Sequence, residues 1–231
     1  MSQPNRQTTR DAHVPLIRRI PARVWVCAGA MMLVQLIAFC ATRPLIARLP
    51  AHYMETALDQ RIPFIPAWVT VYFLSFASWL VSGIWILSGD PAHAYRFTSA
   101  YILALIVSAV VFIAYPGTMH RPELSGSGLF VQWMRLLYRI DSPTNLCPSL
   151  HVMLSYYCWR GTHGCRHIPT WFRWFNFIFL ILVCLSILFV KQHVVVDIPA
   201  AILIGELALQ AARVFRLERI PEALAARYHK H

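Results

Sequence analysis

Four ionisable residues lie within or at the rim of long apolar segments: His151, Lys191, His193 and Asp197. A charge is costly in such a position, so each of these residues marks a candidate functional site. His193 and Asp197 are four residues apart, a spacing that places both side chains on one face of a helix. We expect the carboxylate to accept the proton of one imidazole nitrogen, which leaves the other nitrogen free to act as a nucleophile.

The second histidine, His151, follows Pro148 and Ser149, a sequence that favours the start of a helix with its N–H groups directed at an anion. Arg121 and Lys191 are predicted to lie on the same side of the membrane. Two imidazoles, two cations, a hydroxyl and a carboxylate are therefore expected on one face. Such a set is suited to phosphoryl transfer, in which the charge on three equatorial oxygens must be neutralised.

Three further charged residues have weaker assignments. Arg135 and Arg139 are predicted to contact lipid headgroups rather than the reacting phosphate. Glu206 lies deep in the last apolar segment, where it either has a structural partner or serves in a proton relay.

Two stretches resemble the second and third motifs of the type 2 phosphatidic acid phosphatase superfamily. They are residues 141–151 (DSPTNLCPSLH) and residues 191–197 (KQHVVVD), the latter preceded by Ser186. The leucine before His151 is closer to the inositol phosphorylceramide synthase-like branch. Residues 59–66 (DQRIPFIP) also resemble features of that branch, as do the Tyr-Pro and Arg-Pro pairs of residues 115–122. Two cations of the usual family motifs are absent, since Ala114 and Ile187 stand in their places.

The resemblance implies a phosphohistidine mechanism that needs no cofactor and no metal. His193 would attack phosphorus, and Asp197 would fix its tautomer and stabilise the imidazolium. His151 would protonate the leaving oxygen and then activate the acceptor. The phosphate oxygens would be held by Arg121, Lys191 and Ser149.

Three functions remain open from the sequence. The first is hydrolysis of a lipid phosphate or diphosphate at the non-cytoplasmic face. The second is transfer of a phosphate-bearing headgroup to an alcohol, which shares the first chemical step. The third is a small proton-coupled transporter that uses His151, His193, Asp197 and Glu206 as a proton path.

The composition indicates an all-α, polytopic membrane protein, because 58% of the residues are hydrophobic and only 13% are charged. Five apolar runs approach the ~20 residues that cross a bilayer. They cover residues 24–41, 68–87, 97–115, 174–190 and 194–214. A sixth and weakest span is predicted over residues 148–159. The first run is longer than a signal-peptide core and is interpreted as a span.

Six spans place both termini on one side of the membrane. The segments on that side hold 14 of the 21 basic residues, so we expect the termini to be cytoplasmic. The predicted organisation is a basic N-terminal segment (residues 1–23), a membrane catalytic domain (residues 24–214) and a C-terminal tail (residues 215–231). The connection between the third and fourth spans carries apolar residues at helical spacing from Phe130 to Ile140, which predicts an amphipathic helix at the interface.

The expected partners are the bilayer and a lipid phosphate substrate. The net charge of +11 is spread over short connections, which argues against nucleic-acid binding. The six cysteines are interpreted as buried apolar residues rather than a disulfide framework. His163, Cys165 and His167 have a metal-like spacing but lack a fourth ligand, so we do not expect a zinc site. The sequence leaves the oligomeric state open.

Overall fold

The computed structural model describes residues 20–228, which form a bundle of α-helices. The helices are α1 (Ala22–Cys40), α2 (Arg43–Ile46), α3 (Ala57–Arg61), α4 (Val69–Leu87), α5 (Pro91–Ala114), α6 (Leu129–Ile140), α7 (Leu150–Thr162), α8 (Thr170–Phe189), α9 (Asp197–Val214) and α10 (Arg219–Tyr228). A short 3-10 helix, Pro66–Trp68, precedes α4, and strands β1 (His52–Tyr53) and β2 (Gly117–Thr118) pair in parallel. Most of the predicted N-terminal segment, residues 1–19, and the last three residues of the predicted tail lie outside the described residues.

Four helical segments are long and apolar enough to cross a membrane: Ala22–Ile46, Pro66–Leu87, Pro91–Ala114 and Thr170–Phe189. A fifth candidate is the bent pair of α9 and α10, whose axes differ by 61°. Each of the five strong apolar runs therefore contains one long helix. The prediction of a polytopic helical membrane protein is confirmed at the level of four or five candidate spans, and the sixth span stays a prediction.

Helix α7 is short and only moderately apolar because it is the inner helix of the bundle. It packs against α4, α5, α8 and α9, and nine of its 13 residues are buried. Its polar groups are satisfied by neighbouring helices: Trp79 Nε1 donates to Ser155 Oγ at 2.9 Å, and the Tyr157 hydroxyl donates to the Gly205 carbonyl at 3.1 Å. A helix enclosed by protein does not need the continuous apolar surface of one that faces lipid.

The six longest core helices, α1, α4, α5, α7, α8 and α9, alternate in direction. At the end where α1 begins, here called the terminal end, the Arg23 guanidinium donates to the Ser88 and Gly89 carbonyls that follow α4. At the opposite end, the Asn145 amide before α7 donates to the Phe39 carbonyl near the end of α1, at 3.1 Å. Because α7 and α9 both begin there with His151 and Asp197, this is called the histidine end.

The predicted amphipathic segment forms helix α6. Met134 and Leu137 are fully buried against the bundle, whereas Phe130 and Ile140 are 42% and 52% exposed. Helix α6 packs on α4 and on the 3-10 helix before it. The apolar stripe therefore packs on protein through its middle and leaves its two ends uncovered.

Candidate active site

His193 and Asp197 are in contact at the histidine end, in the turn that connects α8 to α9. His193 Nδ1 lies 2.9 Å from Asp197 Oδ2 and 2.9 Å from the Leu146 carbonyl oxygen. The spacing predicted this contact, but the reason differs, because α9 begins only at Asp197 and His193 precedes the helix. Since both neighbours of Nδ1 are acceptors, the proton belongs on Nδ1, and Nε2 is left with its lone pair.

The carboxylate that orients His193 is itself firmly held. Asp197 is fully buried, and its Oδ2 also accepts the Val194 N–H at 3.0 Å. His193 is 7% exposed. A buried carboxylate with two donors on one oxygen fixes the position of the imidazole and would stabilise a positive charge on it.

His151 faces His193 from the first turn of α7. The centroids of the two rings are 6.0 Å apart, and the rings share no hydrogen bond. Three aromatic residues of α4 surround His151, with centroid distances of 4.4 Å to Tyr72, 5.4 Å to Trp79 and 6.0 Å to Phe76. The aromatic walls limit the positions of the His151 ring and direct it towards the gap between the two imidazoles.

The starts of α7 and α9 meet beside the histidines. Ser149 is the N-cap of α7, where its hydroxyl accepts the Val152 N–H, and its own N–H points to the Asp197 carbonyl oxygen at 3.5 Å. The first N–H groups of α7 have no partner within the helix and carry a partial positive charge, so the start of α7 favours an anion at this position. At α9, by contrast, the N–H groups of residues 197, 198 and 200 donate to the carbonyls of residues 194–196, and residue 199 is a proline without an N–H. Ser149 itself is fully buried and acts as the cap.

Arg121 approaches the site behind Gln192. Its guanidinium donates to Gln192 Oε1 and stacks on the Tyr138 ring, with Arg121 Cζ 4.3 Å from the ring centroid. Burial lowers the pKa of Arg121, and the nearby Tyr138 and Asp141 oppose that shift. The guanidinium remains charged, because its ordinary pKa lies far above neutrality. Among the described residues its Nε has no hydrogen-bond partner.

Asp141, Tyr72 and Gln192 connect the arginine to the histidines. Asp141 Oδ2 accepts the Tyr72 hydroxyl at 2.8 Å and the Gln192 amide at 3.3 Å. All three line the same cavity as His151 and His193. No motif or spacing in the sequence points to Tyr72. Asp141 and Gln192 were visible only as members of the two motifs, without a role of their own.

Lys191 does not reach the histidines. Its amine donates to the Asp59 and Ile62 carbonyls at 2.8 and 2.6 Å, where it caps the end of α3. Burial lowers the pKa of Lys191, and the nearby Asp59 and Glu55 raise it in part. The amine is thus occupied by backbone oxygens, and Lys191 does not line the cavity.

Asp59 is a buried residue of the site region that the sequence indicated only through the resemblance of residues 59–66. Its Oδ1 accepts the Val195 N–H at 2.7 Å, and its Oδ2 forms a capping box with Thr56. Burial raises the pKa of Asp59, but the hydrogen bonds from Thr56 and Val195 and the charge of Lys191 outweigh it and hold the pKa below its ordinary value. The ionised carboxylate therefore fastens the turn between His193 and Asp197.

The two arginines assigned to headgroups lie on α6. Arg135 donates to the Leu124 and Gly126 carbonyls at 3.1 and 2.7 Å and so holds the preceding loop in place. Arg139 is exposed. Neither residue lines the cavity that contains the histidines.

Glu206 lies away from the histidines and has partners. Both of its oxygens accept from Arg160, each at 3.0 Å; Oε2 also accepts the Tyr156 hydroxyl at 2.6 Å, and Oε1 accepts the Gln210 amide at 2.6 Å. The pair joins α7 to α9 near the terminal end. Of the two alternatives left open for Glu206, the structure favours a structural pairing.

His163, Cys165 and His167 do not come together. Within residues 20–228, no group of three or more His, Cys, Asp or Glu side chains is arranged to hold a metal ion. His163 is bonded to the Trp159 carbonyl at 3.1 Å, and His167 is bonded to the Trp85 carbonyl at 2.9 Å. Their ring nitrogens serve the packing of the terminal end.

Comparison with known proteins adds no assignment, because no family model and no curated protein sequence matches the chain. The resemblance to the type 2 phosphatidic acid phosphatase superfamily therefore rests on the motif residues alone.

Proposed function

We propose that this protein is an integral membrane lipid phosphatase that hydrolyses a lipid phosphate or diphosphate through a phosphohistidine intermediate. The proposal is carried by one observation: His193 presents a free Nε2 to His151, 6.0 Å away between ring centroids, at the polar end of a largely apolar cavity of about 550 Å³. A nucleophile oriented by a buried carboxylate and a second imidazole across a gap are the parts that two-step phosphoryl transfer requires.

In the first step, His193 Nε2 forms a bond to phosphorus while the bond from phosphorus to the leaving oxygen breaks. His151, entering as imidazolium, gives its proton to that oxygen. In the second step, neutral His151 takes a proton from water, whose oxygen attacks phosphorus and breaks the bond from nitrogen to phosphorus. Inorganic phosphate leaves, His151 is protonated again, and Asp197 supports the positive charge of His193 while it is phosphorylated.

Charge on the phosphoryl oxygens would be stabilised by Arg121 and by the start of α7. Arg121 does not itself line the cavity, but its guanidinium donates to Gln192, which does, so an entering phosphate would replace the amide oxygen as its partner. The assignment of Lys191 to the phosphate has less support, because its amine already serves two carbonyl oxygens. The proposed oxyanion site therefore depends on one side-chain cation and on the dipole of α7.

The topology that we propose has six spans, with α7 as a short inner span, α6 at the interface and the terminal end in the cytoplasm. The alternating directions of the core helices support this topology. Helix α7, whose 13 residues give it a length of ~20 Å, also supports it because it is buried among four longer helices. Cysteine labelling of a Cys-free Ser127→Cys variant tests the orientation. Modification from the non-cytoplasmic side is expected, and modification only from the cytoplasm would refute the topology.

The function is tested by mass spectrometry of the products that the purified protein forms from a panel of lipid phosphates, with and without an alcohol acceptor. We expect inorganic phosphate and the dephosphorylated lipid as products. When the reaction is stopped without acid, we expect the trapped phosphate to be found on His193. A phosphate-bearing headgroup found on the added alcohol would instead identify a phosphotransferase. Absence of both products and of phosphate on His193 would reject the proposed chemistry.

A further inference from the structure

The cavity that contains the histidines continues far beyond them, between α1 and α4. On α1 it is lined by residues 25, 28, 31, 32, 35, 36 and 39, and on α4 by residues 72, 76, 79, 80, 83, 84 and 87. Each set recurs at intervals of three and four residues and therefore forms one stripe along its helix. From Phe39 to Trp25 the stripe is ~21 Å long at 1.5 Å per residue. We call this part of the cavity the α1–α4 groove.

The groove changes in polarity along its length. At the histidine end, polar walls are contributed by Asp141, Asn145, Gln192 and the two imidazoles. Farther along, the lining is apolar and aromatic apart from a few groups such as Gln35 and Tyr101, whose hydroxyl donates to Gln35 Oε1 at 2.7 Å. Water gains little from such walls, whereas a hydrocarbon chain is favoured there.

The groove also communicates with the outer surface of the bundle. Met32, Leu36 and Leu80 line it and are 59%, 51% and 62% exposed. In a membrane these side chains border the lipid, so a chain can pass sideways from the bilayer into the groove without crossing water.

We infer that the α1–α4 groove holds one linear hydrocarbon chain of the substrate, with the phosphate at the histidines and the end of the chain towards Trp25 and Leu87. This inference rests on the proposed function and deepens it, because it makes chain length a determinant of specificity. The continuity of the groove with the site, its change from polar to apolar walls and the volume of about 550 Å³ of the whole cavity support one chain as its occupant.

Gly83 and Ala28 are the smallest α1 and α4 residues that line the groove. Gly83 lies 11 residues from Tyr72, and Ala28 lies 11 residues from Phe39, so both are ~16 Å deep by helix rise. A Cβ added at Gly83 meets no atom within 4 Å. A larger side chain at Gly83 would therefore enter the groove rather than clash with the protein.

Gly29 supplies a matched control. It lies in the same apolar segment as Ala28, and a Cβ added there also meets no atom within 4 Å, but it does not line the groove. Gly83→Leu and Gly29→Leu make the same chemical change and the same gain in helix propensity. Only the first variant places atoms in the path of the proposed chain.

The test measures kcat/KM of the full-length protein and both variants on a series of linear alkyl phosphates of increasing length. We expect Gly83→Leu to lower the ratio of long-chain to short-chain kcat/KM by about tenfold, because one added side chain occupies space that the long ligand needs. Gly29→Leu should leave the ratio unchanged. An equal ratio in all three proteins would overturn the inference while leaving the phosphatase proposal intact.

A second measurement does not depend on turnover. A non-hydrolysable long-chain alkyl phosphonate with a photoreactive group at the end of its chain should label residues near Trp25 and Leu87 in the unmodified protein and in Gly29→Leu, and excess unlabelled phosphonate should suppress the labelling. Gly83→Leu should lose that labelling. Labelling that is the same in both variants, or confined to other helices, would overturn the groove assignment; labelling as expected without any phosphatase activity would support the groove and reject the proposed function.

Discussion

The two ends of the bundle use the same helices for opposite purposes. At the terminal end, α7 and α9 are joined by Arg160 and Glu206, whose charged atoms are matched by close partners. At the histidine end, the same two helices begin beside His151 and Asp197, where Asp197 Oδ1 has no hydrogen-bond partner among the described residues and both imidazoles line a cavity. Polar groups that are fully satisfied stabilise a fold, whereas buried groups with spare capacity are typical of sites that bind or react.

Other contacts show the same division. At the terminal end, a bidentate pair joins Arg96 of α5 to Glu218, the residue before α10. At the histidine end, by contrast, a carboxylate orients an imidazole whose second nitrogen faces a cavity. Substitutions at the histidine end should therefore change catalysis more than stability, and those at the terminal end should do the reverse.

The largest effect is expected for His193→Ala, because it removes the proposed nucleophile and its orienting contact with Asp197. Turnover and covalent phosphate labelling should both be lost, as measured by phosphate release and by trapping of labelled protein. His163→Ala, an exposed histidine of the terminal end, is the matched control and should behave like the unmodified protein. Normal labelling of His193→Ala would show that the nucleophile has been misassigned.

Asp197→Asn should have the next largest effect. The amide keeps the shape of the side chain but cannot stabilise the imidazolium, and loss of the equivalent carboxylate in a catalytic triad lowers kcat by about 10⁴-fold. Single-turnover kinetics should show slow formation of the phosphohistidine, with the label still on His193. An unchanged rate would mean that the hydrogen bond at 2.9 Å has no role in catalysis.

His151→Ala should slow turnover by about 10²- to 10⁴-fold, the usual contribution of a general acid or base. A substrate whose leaving group needs little protonation should recover much of the first step in this variant. The same substrate should recover nothing in His193→Ala. Equal recovery in both variants would contradict the division of roles between the two histidines.

Glu206→Gln tests the terminal end and should affect stability instead. The variant removes the negative charge that pairs with Arg160 between α9 and α7. The side chains of Arg160 and Glu206 are only 20% and 30% exposed. We expect the free energy of unfolding to fall by about 1–3 kcal/mol, as for other hydrogen bonds to charged groups. Thermal unfolding and kcat should be measured together, and a large loss of kcat in a fully folded variant would revive the proton-relay interpretation of Glu206.

The sequence predicted the helices well because their apolar runs are long, and it predicted the histidine pairing because residues 193 and 197 are close along the chain. It did not predict that Lys191 caps α3 or that Asp59 fastens the turn before α9, since these contacts join residues more than 100 positions apart. The partner of Glu206 was also not predictable, because the Arg160 side chain reaches it only through the packing of α7 on α9. Long-range contacts of this kind depend on tertiary packing and leave no periodic signal in the sequence.

The smallest effect is expected from metal chelation, which should leave both ends unchanged. At the histidine end the proposed nucleophile is an imidazole, and the proposed stabilising charges are a guanidinium and the start of α7, so no step requires a metal-bound water. At the terminal end, the nitrogens of His163 and His167 that contact the protein are bonded to backbone carbonyls. Activity and thermal stability should therefore be the same before and after EDTA treatment. Loss of activity that a divalent ion restores would contradict the proposed mechanism at the histidine end. Loss of stability with intact activity would instead indicate a metal site elsewhere, and the segment of His163, Cys165 and His167 would be the first place to look for it.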